Sequence, residues 1–382
     1  MPKTIIKEFD NTGKLSSGGE VVVFIPGAGT IVKGADANNC VYIPAGSKIS
    51  DFLSGEDKSV EYASSLNALG LNILYCAINS ITANSLDFLL DKNAYKVRFL
   101  TSGVLGSYSI TKSATRAKTK DGESGSTETQ AELTVNSVVA KELNRIAVAR
   151  MDCVSLIDST KSTSVDPSDI LAALGKLELQ DGSYAATFVD WSGDLPGSFY
   201  YLKLVAKLLQ GNRRWDSVAG VKRGVGSGYN GPATLKNELS KYDLDTKYQM
   251  REGVSFNGFV KVNNVYTLWG DRTLKQNSGL TATSFLSIRL LICDICERAY
   301  VAAINNTFES NNDVAWANYK TSISGLLDQA VADYKIAAYN IVKLTPDATA
   351  TIRCKIRIVP IEPVEDFVIE IQIENSDVNI KG

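Results

Sequence analysis

The sequence predicts an α/β protein, α+β over its whole length, and three observations carry that expectation. Between residues 138 and 245, short apolar runs ending in Asp alternate with amphipathic stretches, the pattern of a largely parallel sheet with crossover helices. From Ser284 onward, apolar residues recur at helical spacing over two long stretches. Near both ends of the chain, short segments alternate apolar and polar residues, the period of a half-buried strand.

Residues 1–20 combine a short alternating strand, with Thr4, Ile5, Ile6 and Phe9, and a linker of small residues (Gly13, Ser16, Ser17, Gly18, Gly19). A strand tethered this loosely is a candidate exchangeable arm. Residues 21–137 are expected to form an N-terminal α/β or β-rich domain. In it, Val21 to Ile25 reads as a buried strand stopped by Pro26-Gly27, with further strands at Asn39–Ile43 and Asn72–Ile78. Ser59 to Leu69 has helical spacing, with Val60, Ala63 and Leu66 on one face and Gly70 as the C-cap. Residues 107–132 carry Lys112, Arg116, Lys118 and Lys120, then Asp121, Glu123 and Glu128, among Ser, Thr and Gly. An exposed loop or projecting hairpin is expected there. Four bases without interleaved aromatics make a poor nucleic-acid surface.

Residues 138–283 are expected to be the α/β core. Arg145 to Arg150 leads into an apolar strand, Cys153 to Ile157, ending at Asp158. A helix over Pro167–Leu179 follows, then a strand over Tyr184–Val189 that ends at Asp190-Trp191, then a helix over Leu202–Leu209. Val265 to Trp269 reads as a strand ending at Gly270, with Asp271 and Arg272 placed to pair across the turn.

Residues 284–365 read as helices followed by a strand. Phe285, Ile288, Ile292, Ile295, Ala299 and Ala302 line one helical face. Trp316, Tyr319, Ile323, Leu327, Ala330, Tyr334, Ala337 and Ile341 keep register over a second helix expected from Asn312 to Val342. Beyond it, Ile352, Cys354, Ile356 and Ile358 alternate with Arg353, Lys355 and Arg357. In the C-terminal arm, residues 366–382, Phe367, Ile369, Ile371 and Ile373 alternate with Val368, Glu370, Gln372 and Glu374. Paired in one sheet, the two strands would set Arg and Lys opposite Glu, worth about 0.2–1 kcal/mol per cross-strand pair. The terminal strand is equally an edge, and a strand from another copy would cover it.

Composition narrows the chemistry. The 382 residues are enough for two or three domains, and a net charge of −2 gives no global attraction to nucleic acid. The chain holds no histidine. That removes Ser-His-Asp and Cys-His catalysis, histidine acid–base chemistry and nearly every familiar zinc site. No apolar run reaches the roughly 20 residues that span a bilayer. The first residues lack a signal-peptide core, so a cytoplasmic origin is expected. Cysteines 40, 76, 153, 293, 296 and 354 sit in mostly apolar contexts and read as reduced core thiols.

Candidate small-molecule sites are weak. Gly27 to Gly34 lacks the Lys-Ser/Thr of a phosphate loop and the glycine spacing of a dinucleotide loop. Lys222 to Gly231 sets two bases before flexible amides, which suits an anion or a mobile interface loop. Cys293 and Cys296 share a helical face without a second pair, and Asp152, Asp158 and Asp190 end strands where a cation or an ordinary turn would want them. No catalytic, cofactor or metal residue is assigned.

The segment Val265-Tyr-Thr-Leu-Trp-Gly-Asp-Arg-Thr-Leu274 resembles the Trp-Gly-x-Arg-Thr-Leu signature of contractile tail sheath proteins, carried here by Trp269, Gly270, Asp271, Arg272, Thr273 and Leu274. Val22 to Gly29, Ile43 to Phe52, Leu69 to Tyr75, Tyr184 to Trp191 and Trp215 to Gly224 resemble further segments of that family, in the family's order. The resemblance implies an α/β sheath core and six copies in a ring around a tail tube, with rings stacked helically. It implies that terminal arms donate strands to neighbours, at Thr4–Phe9 and Phe367–Glu374, with Thr351–Val359 as acceptor. It also implies contact with the tail tube protein and with baseplate and tail terminator proteins, without direct nucleic-acid binding or membrane insertion. A virion tail or injection-particle sheath assembled in the host cytoplasm is the expected location. Trp269, Asp271 and Arg272 are expected to organise the junction between the α/β body and the C-terminal helices. The alternatives are a static tube or capsid protein and a nucleotide-binding or hydrolytic α/β enzyme.

Overall fold

Val22–Gly27 forms strand β1, six consecutive buried residues of the kind that occupy the centre of a parallel sheet. The computed structural model describes residues 21–114, 131–161, 165–211, 214–233, 235–249, 253–275, 279–305, 313–345 and 352–363. The arm strands expected at Thr4–Phe9 and Phe367–Glu374 lie outside the described residues. After β1 come β2 (Cys40–Ile43), helix α1 (Lys58–Ala68), β3 (Asn72–Ala77) and β4 (Phe99–Thr101). Next are the hairpin β5 (Ser109–Ala114) and β6 (Ala131–Asn136), α2 (Val138–Arg150), β7 (Val154–Leu156), α3 (Pro167–Gly175), β8 (Ala185–Ala186) and β9 (Phe188–Val189). The chain continues through α4 (Gly197–Gln210), β10 (Asn257–Val262), β11 (Val265–Trp269), α5 (Leu286–Asn305), α6 (Asp313–Ala332), β12 (Ile336–Leu344) and β13 (Arg353–Pro360).

The main sheet runs β8-β7-β4-β1-β3-β2, parallel throughout except for the edge strand β2. It is a mixed α/β fold, as expected. Strands β4 and β7 are neighbours in this sheet, so it runs through the domain boundary expected at 137/138. A second, three-stranded sheet, β9-β10-β11, lies beside it. Helix α1 starts where the Asp57 side chain accepts from Ser59 N, and it ends before Gly70 at φ +92°. At the loop or hairpin expected over 107–132, Ser109–Ala114 and Ala131–Asn136 form the antiparallel pair β5–β6, and residues 115–130 are outside the described residues. Among the described residues no helix is long and apolar enough to cross a membrane.

Four expectations are corrected. The helix expected from Asn312 to Val342 ends at Ala332. Lys335 N donates to Ala330 O with Tyr334 at φ +54°, the hydrogen bond and left-handed residue of a helix C-cap usually made by glycine. The chain then becomes β12. The strand expected at Tyr184–Val189 is two strands in different sheets, divided at Thr187, whose carbonyl accepts from both Asn257 N and Asn257 Nδ2 at 3.1 Å. The helix expected to reach Leu179 stops at Gly175. Cys40 and Cys76, expected as thiols, face each other across β2 and β3 and form a disulfide; Cys153, Cys293, Cys296 and Cys354 are free.

In an open α/β sheet, ligands enter where the strand order reverses, here at the C-terminal ends of β1 and β4. Side chains close that place. A Cβ on Gly27 would lie 1.9 Å from Ser59 Oγ, and Gly29 N donates to the Tyr75 hydroxyl at 2.8 Å. The glycine loop is therefore a packing turn. Asp158, at the end of β7, is 2% exposed and accepts from Ser198 N at 3.1 Å, beside buried Tyr62 and Tyr108.

Burial pushes the Asp158 carboxyl up to about 7. The folded state thus holds this proton more tightly than the unfolded chain, and the resulting stability falls as pH rises from the ordinary carboxylate value through about 7. Asp158→Asn should raise stability by about 2–3 kcal/mol more at pH 8 than at pH 5, because the raised carboxyl titrates about two pH units above pH 5. Urea unfolding at the two pH values measures this.

Candidate assembly surface and the junction beneath it

Strands β12 and β13 form an antiparallel pair from Ile336↔Pro360 to Leu344↔Arg353, with a bulge between Ile336 and Ala338. Ile336, Ile341, Val342, Ile356 and Ile358 are β-branched, which favours the extended chain. On one face, Tyr339↔Ile358, Ile341↔Ile356 and Lys343↔Cys354 sit over α6. Tyr339 Oη donates to Asp328 at 2.6 Å, Lys343 Nζ to Asp313 at 3.2 Å, and Cys354 Sγ lies 3.7 Å from Tyr319 Oη. Ile341 is buried, and Ile356 and Ile358 are half-buried. The opposite face shows exposed Asn340, Arg353, Lys355 and Arg357.

Among the described residues this sheet has only two strands. The expected acceptor residues Ile352, Arg353, Lys355, Ile356, Arg357 and Ile358 thus lie on or beside β13, whose partner is β12. One edge of each strand has no described strand beside it. A lone two-stranded sheet is marginal, and long open edges are sites for pairing with another chain.

Residues of the segment Trp269–Leu274 share a cleft with the base of this unit. Gly270, at φ +109°, passes so close to Gln249 that a Cβ would sit 1.8 Å from its Nε2. The Trp269 indole donates to Asp245 at 2.7 Å. Asp271 is 8% exposed; its carboxylate accepts from Ser287 N and Ser287 Oγ, and its carbonyl from Leu286 N at 2.9 Å. A carboxylate against the first turn of α5 also meets the positive end of the helix dipole. Burial nevertheless pushes it up to about 6. Arg272 N donates to Asn257 Oδ1 at 2.7 Å, Asn257 Nδ2 returns a bond to Arg272 O at 2.9 Å, and the guanidinium lies over the Phe285 ring. Thr273 N donates to Ser284 O and Leu274 N to Ala185 O, at 2.9 and 2.7 Å. Six residues thereby connect α5 to both sheets.

A second tie was not legible beforehand. Arg98, 1% exposed at the start of β4, pairs with Asp294 at 3.3 Å and with Glu297, both on α5. Asp294 also pairs with Arg214 and Arg298, at 3.1 and 3.2 Å. Arg98 and Arg214 both lie over the Trp215 ring. Asp216 then pairs with Arg223 at 2.8 Å and with Lys335 at the base of β12. Trp215, Arg223, Trp269, Arg272, Lys335 and Ile361 line one cleft of about 820 Å³ between the body and that base.

The other candidates are not brought together. Asp152 pairs with Arg150, Asp158 meets Ser198, and Asp190 accepts from Trp191 N. Among the described residues no group of three His, Cys, Asp or Glu could hold a metal ion. The 222–231 loop packs on aromatics: a Cβ at Gly226 would lie 2.9 Å from Phe259, and one at Gly231 2.7 Å from Tyr266 Oη.

No protein-family profile and no curated protein sequence matches this chain. Solved structures match over nearly its whole length. A chain of the PVC sheath complex of an extracellular contractile injection system, in its contracted state, gives a TM-score of 0.63 at 15% identity, covering 97% of both chains. A chain of the 6-fold symmetrised anti-feeding prophage (AFP) baseplate gives 0.62 at 12% identity, over 98% of this chain and 99% of that one. A chain of the AFP baseplate in its contracted state gives 0.57 at 14% identity, over 98% and 100%. This chain therefore has, over nearly its whole length, a fold found in contractile injection assemblies.

Removing one side of the buried ion cluster strands its partners. Asp294→Ala should cost about 3–5 kcal/mol in urea unfolding. Lys343→Ala, which breaks an exposed pair, should cost under about 1 kcal/mol.

Proposed function

We propose that this chain is the structural subunit of a contractile sheath. It polymerises as stacked hexameric rings around a tail tube through donated terminal strands, and contracts to drive the tube through a target envelope. The observation that carries this reading is the likeness to a chain of a contracted sheath complex over 97% of both chains. The sheet β12–β13, which has two strands among the described residues, supports strand exchange. Thr4, Ile5, Ile6 and Phe9, and Phe367, Ile369, Ile371 and Ile373, are the proposed donor positions. Ile352 to Ile358 are the proposed acceptor.

Physically, each arm stays hydrogen-bonded to a neighbour while the α/β bodies slide and rotate into a shorter, wider lattice. Additional surface buried between bodies drives the change, and small gains per subunit add over many copies. No reaction is required of a chain without histidine. The partners are other copies of the chain, a tail tube protein, and baseplate and terminator proteins, with no direct contact to nucleic acid and no insertion in membranes. The place is a virion tail or an injection particle, assembled in the host cytoplasm.

Expressed alone, the protein should form wide, striated hollow cylinders in negative stain. Deleting residues 1–15 should leave folded monomer that no longer stacks. Regular sheaths from the truncated chain would refute strand donation, and nucleotide hydrolysis by purified monomer would favour an enzyme instead.

A further inference from the structure

The exposed face of β13 carries Arg353, Lys355 and Arg357, and its α6-facing side carries Cys354, Ile356 and Ile358. Residues 367–374 repeat this two-residue period with the opposite charge: Phe367, Ile369, Ile371 and Ile373 on one side, Glu370 and Glu374 on the other. We propose that the outer edge of β13 takes Phe367–Glu374 of a second copy as an antiparallel third strand, with Arg357 opposite Glu370 and Arg353 opposite Glu374. This assignment rests on the donated-strand reading above and adds which arm meets which edge, in which direction and register.

The register follows from counting. Arg357 opposite Glu370 sets Lys355 opposite Gln372, and on the other face Ile358 opposite Ile369, Ile356 opposite Ile371 and Cys354 opposite Ile373. A slip of one residue turns every isoleucine of the arm onto the charged face. A slip of two in either direction leaves one ion pair, Lys355 with Glu370 or with Glu374. A parallel strand that pairs both Glu370 and Glu374 sets Ile358 opposite Asn375. The antiparallel register satisfies charge and burial together, with Pro360 opposite Phe367 at the end of the ladder. The N-terminal arm lacks this complement, since Lys7 and Glu8 are adjacent and opposite in sign. It is left for β12, whose outward residues Asn340, Val342 and Leu344 carry no charge.

Two charge-block variants test this. One carries Glu370→Arg with Glu374→Arg, the other Arg353→Glu with Arg357→Glu. Each meets like charge in copies of itself, so each alone should show a critical concentration for polymerisation raised by at least about tenfold at low salt. An equimolar mixture offers every donor an opposite acceptor and should pellet as sheaths. In full-length protein, Lys355→Cys with Gln372→Cys should give an inter-subunit disulfide on oxidation, and Lys355→Cys with Glu374→Cys should not. Wild-type polymerisation by either block variant would overturn the charge assignment. A mixture that stays monomeric, while all four changes in one chain restore sheaths, would overturn the second-copy source. The reverse cross-linking preference would overturn the register. Unimpaired assembly after truncation at Pro363 would instead refute donation by the C-terminal arm itself.

Discussion

A strand offers hydrogen bonds along two edges, and a sheet of two strands uses only half of them. Among the described residues the β12–β13 hairpin is such a sheet, and contacts from the rest of the chain hold it in place. Its buried side rests on α6 through Tyr339, Lys343 and Cys354. Its base is tied to the body where Lys335 pairs with Asp216. Helix α6 packs on α5, and α5 is fixed by Asp271 at one end and by the arginines around Asp294 further along. A force applied at the hairpin edge therefore reaches the six-stranded sheet through a short series of named contacts.

The character of those contacts differs along the series. Hydrophobic packing tolerates sliding, whereas directional hydrogen bonds and clustered buried charges define one geometry and lose much when it is left. The polar contacts concentrate where α5 meets the body: Asp271 with Ser287, Arg272 with Asn257, and Asp294 with three arginines. The hairpin contacts with α6 are fewer and more exposed, and strands donated to its edges, as proposed, would add backbone bonds that do not depend on how the bodies are oriented. Under the proposed sheath function, a unit built this way keeps hold of its neighbours while its body moves.

Much of the fold was legible because local chemistry and final position agree. Strands β1 and β3 read as continuous apolar runs since both faces are covered, and α1 announced itself through Val60, Ala63 and Leu66 on one face and Gly70 after it. The failures have physical causes. Tyr334 makes a left-handed helix end without the glycine that signals one, and Tyr334, Ala337 and Ile341 happened to keep helical spacing into what is a strand. The Tyr184–Val189 run was divided by Asn257, some 70 residues away in sequence. The disulfide depends on the register of β2 against β3, and Arg98 meets a partner 196 residues distant. No local pattern encodes either. At the assembly surface, the alternation of Arg353 to Ile358 was readable, but its partner β12 was not, because the same residues fitted a helix.

The most direct test of the whole account is hydrogen–deuterium exchange on free subunits and on polymer. If strands from other copies complete the hairpin, amides of β12 and β13 that face the open edges exchange fast in the free subunit and become strongly protected in the polymer. The Asp271 and Asp294 contacts at α5 would be protected in both. Equal exchange of the β12 and β13 edges in the two states would contradict it.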